Sequence, residues 1–194
     1  MNYLAHIYLS GEDDELKIGN FIADSVKGKE YLDFPERIAQ GIVLHRAIDD
    51  FTDSHPVFKK STGRLFNKYG HYSRVIVDIL YDHFLAANWD KYSETPLEVY
   101  SEEFYDLLNE NSEILPERVQ YFLPFMVRDN WLLSYASIEG IGRILNQMSR
   151  RTEFKSRMNL ATEDLKLYYS EFEDDFFRFF GELQDFCEQE IGKL

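Results

Sequence analysis

The sequence predicts a single all-α domain that spans residues 1–194. Apolar residues recur at helical spacing along the whole chain, whereas the alternation typical of strands is hard to find. Only five prolines and ten glycines interrupt 194 residues. Hydrophobic residues make up 44% of the chain and include 16 phenylalanines and 13 tyrosines, enough to fill one sizeable core.

Proline at helix starts and glycine at helix ends place the elements of the first half. An apolar stretch near residues 2–10 predicts a short first helix, and the next helix ends at Gly28. Pro35 opens a third helix, and a fourth restarts after Pro56. The predicted helices of this half are 2–10, 13–27, 35–53, 56–70 and 72–90.

The second half is predicted to hold four more helical stretches. One begins at Pro96 and one follows Pro116, with Pro124 expected to kink or break the latter. The segment "IEGIGRILNQMSRR" predicts the next helix, and a final helix is predicted from about residue 160 to residue 190. A mobile segment is predicted around residues 109–117.

The net charge, the cysteine count and the distribution of apolar residues argue against several classes of protein. A formal net charge of -14 argues against a nucleic-acid partner, because phosphates are met by basic surfaces. The single cysteine, Cys187, excludes an intrachain disulfide and a cysteine-based zinc cluster. The N-terminal stretch lacks a basic signal-peptide region, and no apolar run reaches the length of about 18 residues that predicts a membrane helix. We therefore expect a cytoplasmic protein with no membrane partner, and the oligomeric state is left open.

Ionisable side chains fall on helix faces whose apolar neighbours predict burial. In "GIVLHRAIDDFTD", Asp49, Asp53 and Arg46 lie within about 100° of His45 on a helical wheel. Isoleucines of the preceding turns share that sector, so this face is not an ordinary solvated one. The segments "NYLAHIYLS", "IGNFIADSVKG" and "RVIVDILYDHFLAANW" repeat the pattern, with these residues: His6, Asn20, Asp24, Asp78, Asp82 and His83.

Each of these residues also has a purely structural interpretation. His6 could be a core histidine with satisfied hydrogen bonds. Asp49 and Asp53 could cap helices or form salt bridges. Asp78 and Asp82 could belong to ion pairs, although two carboxylates in an apolar setting need partners because an isolated buried charge is unfavourable. The whole set favours a divalent metal site built between helices.

Carboxylate and imidazole groups without thiolate suit Mn²⁺, with Mg²⁺, Fe or Zn as alternatives. A metal next to Arg46 predicts phosphoester hydrolysis, because the metal activates water and the guanidinium holds the phosphoryl group. A free carboxylate then orients or deprotonates that water. The predicted catalytic residues are Asp24, Arg46, Asp49 and Asp78. No nucleotide-binding loop or serine-hydrolase motif competes with this interpretation.

Four ordered segments, "MNYLAHIYLS", "GNFIADSVKG", "GIVLHRAIDDFTD" and "DILYDHFLAANW", resemble the acyl carrier protein phosphodiesterase family. The resemblance follows the chain in length and motif order and is strongest through about residue 90. It implies an all-helical fold similar to that of the HD phosphohydrolases. It also implies hydrolysis of the phosphodiester that links 4′-phosphopantetheine to a serine of holo acyl carrier protein, which gives apo protein, with Mn²⁺ preferred.

The resemblance also assigns expected roles. The implied metal ligands are Asp24, His45, Asp82 and His83, with His6 as a further candidate. Arg46 and Asn20 are expected to contact phosphate, with Asp49 and Asp53 supporting the ligands. The family signature of HD enzymes is a histidine followed by an aspartate, whereas this chain has Asp82 before His83, which leaves open which of the two binds metal.

The implied partner is an acyl carrier protein, and such proteins are acidic, as is this chain. Docking then needs a local basic cluster. Lys59, Lys60, Arg64 and Lys68 form one candidate, in which Lys60 and Arg64 are the predicted substrate-binding residues. The other is Arg150, Arg151, Lys155 and Arg157, and either could be an ordinary solvated face.

The sequence also allows two other functions. The chain could be a related metal phosphohydrolase with a small phosphoester or nucleotide as substrate, which its acidic composition favours modestly. It could also be a non-catalytic helical binding module whose histidine and aspartate pairs are only core ion pairs. Detection of a bound metal would favour either phosphohydrolase hypothesis over the non-catalytic binding module.

Overall fold

A computed structural model describes all 194 residues, which form eleven α-helices, five short 3₁₀-helices and no β-strand. The predicted all-α class is therefore confirmed, and the likeness to the HD phosphohydrolase fold stays a prediction. None of the helices combines the length and the apolar character that crossing a bilayer requires. The α-helices are Tyr3–Tyr8 (α1), Asp14–Ile22 (α2), Glu36–Ser54 (α3), Pro56–Tyr69 (α4), Tyr72–Ala87 (α5), Leu97–Glu110 (α6), Glu117–Arg128 (α7), Trp131–Ser134 (α8), Ile138–Arg151 (α9), Ala161–Leu167 (α10) and Tyr169–Ile191 (α11).

Side-chain caps define several helix starts. Asp13 accepts a hydrogen bond from the backbone N–H of Leu16 at 3.0 Å and begins α2. Ser137 caps α9 in the same way through Gly140. Gly70 ends α4 with a φ of 56°, a conformation that a residue with a Cβ rarely adopts.

The structure differs from the predicted elements at three places. The last turn of α2 becomes a separate 3₁₀-helix, Ala23–Ser25. Helix α7 continues through Pro124 without a break. The predicted final helix divides at Tyr168, whose φ of −117° and ψ of 29° leave the helical region although no glycine or proline marks the position. The segment 109–117 contains the 3₁₀-helix Ser112–Ile114, and its mobility stays a prediction.

Helix α5 lies at the centre of the apolar core. Of the eleven side chains from Ile76 to Ala86, all but that of Asp78 are buried. Helix α11 supplies four buried phenylalanines, and Tyr81 of α5 packs among them. Because α1 and α3 pack around the same core, side chains from these helices can meet at one edge of α5.

Two glycines allow α2 and α3 to approach closely. A Cβ added to Gly19 would lie 2.1 Å from the carbonyl oxygen of Ile38, and one added to Gly41 would lie 2.5 Å from that of Leu16. These neighbours are backbone atoms, which cannot move aside for a Cβ as the end of a flexible side chain could. This contact places Asn20, the residue after Gly19, directly against α3.

Gly19→Ala is expected to lower the free energy of unfolding by about 1–3 kcal/mol, because the new methyl group forces two helix backbones apart. Gly63→Ala is the matched control: Gly63 lies within α4, and nothing stands within 4 Å of its added Cβ. The control should gain up to about 1 kcal/mol from its better helix propensity. Urea unfolding followed by circular dichroism measures both, and equal effects of the two substitutions would contradict the close-packing argument.

Candidate metal centre

Three elements, α1, α3 and the 3₁₀-helix Ala23–Ser25, bring two imidazoles and two carboxylates together. His6 of α1 stacks on His45 of α3, with ring centroids 3.9 Å apart. His45 Nε2 lies 3.2 Å from Asp49 Oδ2 and 3.5 Å from Asp24 Oδ1. His6 Nε2 lies 3.3 Å from the other oxygen of Asp49. Both histidines are buried, whereas the side chains of Asp24 and Asp49 are 70% and 49% exposed, so the group faces solvent on one side.

Asn20 sets the orientation of both rings. Its amide nitrogen donates to the carbonyl oxygen of His6 and to the hydroxyl of Ser10, both at 2.9 Å. Its Oδ1 must therefore face the histidines, at 2.8 Å from His6 Nδ1 and 3.1 Å from His45 Nδ1. Each Nδ1 thus carries the hydrogen and donates it, which leaves the lone pair of a neutral imidazole on Nε2. Both Nε2 atoms point toward Asp49.

This arrangement fits a divalent cation. One ligand atom each from His6, His45 and Asp49 lies within 4.8 Å of the other two. His6 Nε2 is buried and makes no hydrogen bond of acceptable geometry, although Asp49 is close. Lone pairs of imidazole and carboxylate that face one another repel unless a positive charge lies between them.

The protonation of the two imidazoles is unequal. Burial opposes charge on His45, but hydrogen bonds and charge from Asp24 and Asp49 outweigh it and raise the pKa of His45 to about 9. Burial and the neighbouring charge of His45 lower the pKa of His6 to about 4. Burial would raise the pKa of Asp49, yet its contacts with His45 and His6 hold it far below the usual range. A proton on His45 therefore supplies the positive charge that a cation would replace.

A cavity of about 290 Å³ opens beside this group. Besides the four metal-site side chains, Asn20, Asp53, Arg74 and Asp78 line it. Asp53 forms an ion pair with Arg74 at 2.6 Å, and Asp78 accepts a hydrogen bond from the Met1 nitrogen at 2.9 Å. The cavity can hold a phosphoryl group and water next to the two Nε2 atoms.

The structure does not bring Asp82 and His83 to this group. Asp82 accepts backbone N–H groups of Asn2 at 3.0 Å and Leu4 at 2.8 Å, so its carboxylate caps the start of α1. Burial outweighs these bonds and raises the pKa of Asp82 to about 7. His83 is 2.7 Å from the carbonyl oxygen of Tyr135 through Nδ1, away from the cavity.

Arg46 also lies outside the cavity. Its guanidinium donates to the carbonyl oxygen of Val26 at 3.3 Å and lies 5.2 Å from the ring centroid of Tyr31. Arg74, which the sequence analysis missed, provides the guanidinium inside the cavity. Its signal was available, because Arg74 precedes Asp78 by four residues on α5 and therefore shares its helix face.

Three of the four cations in the predicted basic patch on α4 are already paired with carboxylates. Lys60 bonds to Asp175 at 2.9 Å, and Arg64 forms a salt bridge with the same buried carboxylate. Burial raises the pKa of Asp175, but hydrogen bonds from Arg64, Lys60 and Ser61 outweigh it and lower the pKa below its usual value. These cations hold α11 against α4, so they offer little free charge to a partner.

Comparison with known proteins decides the family. The family model described as acyl carrier protein phosphodiesterase matches residues 1–183. The chain belongs to the acyl carrier protein phosphodiesterase family. Relatives of that name include proteins of Photorhabdus laumondii, 31% identical over 97% of this chain and 96% of the relative, and of Pectobacterium atrosepticum, 30% identical over 93% and 94%. The family membership predicted from the four motifs is confirmed. No solved structure matches the chain.

In this member of the acyl carrier protein phosphodiesterase family, Asp175→Asn should destabilise the fold by roughly 2 kcal/mol at pH 7, because two cations lose a charged acceptor. The lowered pKa of Asp175 means that its contribution is complete above the ordinary carboxyl pKa of 3.8 and disappears as the pH falls through the folded-state value. The difference from the unsubstituted protein should therefore be constant above pH 3.8 and shrink as the pH falls below it. Urea unfolding across this range measures it.

Asp174→Asn is the matched control for that measurement, since Asp174 is exposed beside Asp175 and has no ion-pair partner. It should change the free energy of unfolding by less than about 0.5 kcal/mol at every pH. A pH-independent loss for Asp175→Asn would show that packing rather than charge explains its effect.

Proposed function

We propose that the chain is a metal-dependent phosphodiesterase that hydrolyses the 4′-phosphopantetheine–serine phosphodiester of holo acyl carrier protein and gives apo protein. The observation that carries the proposal is that Asn20 orients the rings of His6 and His45 so that their Nε2 atoms lie 3.3 and 3.2 Å from Asp49, on the wall of a cavity of about 290 Å³. Family membership supports the reaction class. The cation is Mn²⁺ by family resemblance, and the donor set would also accept Mg²⁺, Fe or Zn.

His6, His45 and Asp49 would hold the cation. When bound, it supplies positive charge beside the phosphoryl oxygens and lowers the pKa of a water molecule. Asp24 lies 3.5 Å from His45 Nε2, and its exposed carboxylate can orient the attacking water and accept a proton from it. Asn20 acts through the two rings and is a positioning residue.

The remaining cavity residues can contact the substrate. Arg74 can donate paired hydrogen bonds to the non-bridging phosphate oxygens, in exchange for part of its contact with Asp53. Asp78 lines the cavity and is the candidate to donate a proton to the serine oxygen as the phosphorus–oxygen bond breaks, since burial raises the pKa of Asp78 although the Met1 nitrogen opposes that shift. The products are 4′-phosphopantetheine and a free serine hydroxyl.

The direct experiment incubates the protein with holo acyl carrier protein and Mn²⁺ and determines the mass of the carrier by mass spectrometry. The mass of the arm should be lost, and a chelator should prevent the loss. Asp49→Ala should lower the rate by at least about 100-fold, because it removes a metal ligand that also touches both histidines. Asp50→Ala, an exposed neighbour on α3 without an ion-pair partner, should retain full activity.

The alternatives give different results in the same experiment. Elemental analysis that finds no bound metal would favour the non-catalytic binding module. An unchanged carrier mass with metal bound, together with turnover of small phosphodiesters, would favour the phosphohydrolase of small substrates.

Substituting the two arginines separately tests which of them contacts phosphate. Arg74→Ala should lower kcat/KM by about 10–100-fold, which corresponds to the loss of charge-assisted hydrogen bonds worth roughly 1.5–3 kcal/mol. Arg46→Ala should leave kcat/KM within about twofold, because Arg46 contacts Val26 and Tyr31 outside the cavity. The reverse order of effects would restore Arg46 as the phosphate ligand.

A further inference from the structure

A second and larger depression adjoins the metal cavity. This groove has a volume of about 890 Å³, three times that of the cavity. Both depressions are lined by Asp24, Asp78 and the first three residues of the chain. The two depressions are therefore adjacent, and a ligand whose phosphate lies in the cavity has the groove within reach.

The walls of the groove are apolar and aromatic. On α7, Tyr121 has the largest exposed fraction among the exposed large hydrophobic residues, 77%. The next residue, Phe122, stacks on Trp131 of α8 with ring centroids 5.7 Å apart. Ile144 and Met148 of α9 are four residues apart on one helix face and also line the groove. A flexible uncharged chain can lie along such a surface.

Three arginines stand around the groove, and each is exposed and without an ion-pair partner. Arg118 lies on α7, and Arg143 and Arg151 lie eight residues apart on α9. The carboxylate of Asp129, which also lines the groove, is bonded to Arg128. In a chain of net charge -14, unpaired arginines around one groove are a local basic surface that complements an acidic partner.

From these contacts, and resting on the proposed function, we infer that the groove holds the pantetheine arm while Arg118, Arg143 and Arg151 bind the acidic surface of the carrier protein. The volume falls in the range of about 300–1,000 Å³ typical of small-molecule sites, which suits a linear arm and is too small for a folded domain. Ser134 and Gln147, which also line the groove, can form hydrogen bonds with the amides of the arm. The carrier then covers the mouth of the groove, where the arginines are exposed.

Equilibrium binding measurements test arm binding in the groove and carrier binding by the arginines independently. Fluorescently labelled holo and apo acyl carrier protein are titrated with the protein in a chelator, so that hydrolysis does not consume the complex. Holo carrier should bind about tenfold more tightly than apo carrier, because only the holo form has an arm for the groove. Arg151→Glu should weaken binding of both forms about tenfold, and this effect should shrink in 0.5 M salt as charges are screened.

Arg150→Glu is the matched control, because Arg150 is exposed on the same helix, has no ion-pair partner and does not line the groove. It should change the dissociation constant by less than about threefold. Arg118→Glu, on a different helix, repeats the test should Arg151→Glu fold poorly. Equal binding of holo and apo carrier, or equal effects at positions 150 and 151, overturns the inference. Binding with these preferences but no loss of the arm in Mn²⁺ would instead contradict the proposed reaction.

Discussion

The carboxamide of Asn20 is the interaction on which the candidate metal centre depends. A single oxygen accepts hydrogen bonds from two imidazoles of different helices and so determines the tautomer of both. The amide nitrogen is in turn held by the backbone of His6 and by Ser10, which prevents the amide from turning over. An aspartate at this position could not make those two donated bonds. An apolar residue would leave the buried Nδ1–H of His6 without a partner and would leave that of His45 only the backbone oxygen of residue 20.

Asn20 reaches both rings only because of two further constraints. Gly19 and Gly41 let α2 lie against α3 closely enough for the Asn20 backbone oxygen to approach His45 Nδ1 at 2.8 Å. The start of α1 is held by the buried carboxylate of Asp82, which accepts N–H groups that have no partner within the helix. Asp82 thus fixes the helix that carries His6, and it acts on the centre through backbone position.

Hydrophobic periodicity could predict the helices and the ionisable faces, because burial imposes both on the sequence. It identified His6, Asn20, Asp24, His45 and Asp49, which do converge. It could not distinguish them from Asp82, since a buried carboxylate among apolar residues has the same pattern whether a cation or backbone N–H groups satisfy it. Arg46 and Arg74 show the same limit: a helical wheel gives the direction of a side chain but not the element that lies opposite.

Net charge is a poor guide to where an acidic partner can bind this protein. The α4 patch that the sequence offered consists largely of cations already engaged by Asp175 and Asp164, so their charge is neutralised within the fold. Of the arginines around the groove, Arg151 belongs to the second basic cluster of the sequence, whereas Arg118 and Arg143 are not distinguished there, yet all three remain unpaired around one groove. Electrostatic attraction between surfaces depends on charge that is not already compensated, within about 10 Å at ordinary ionic strength. A chain of net charge -14 can therefore present a basic face to an acidic partner, provided that its acidic residues lie elsewhere or are internally paired.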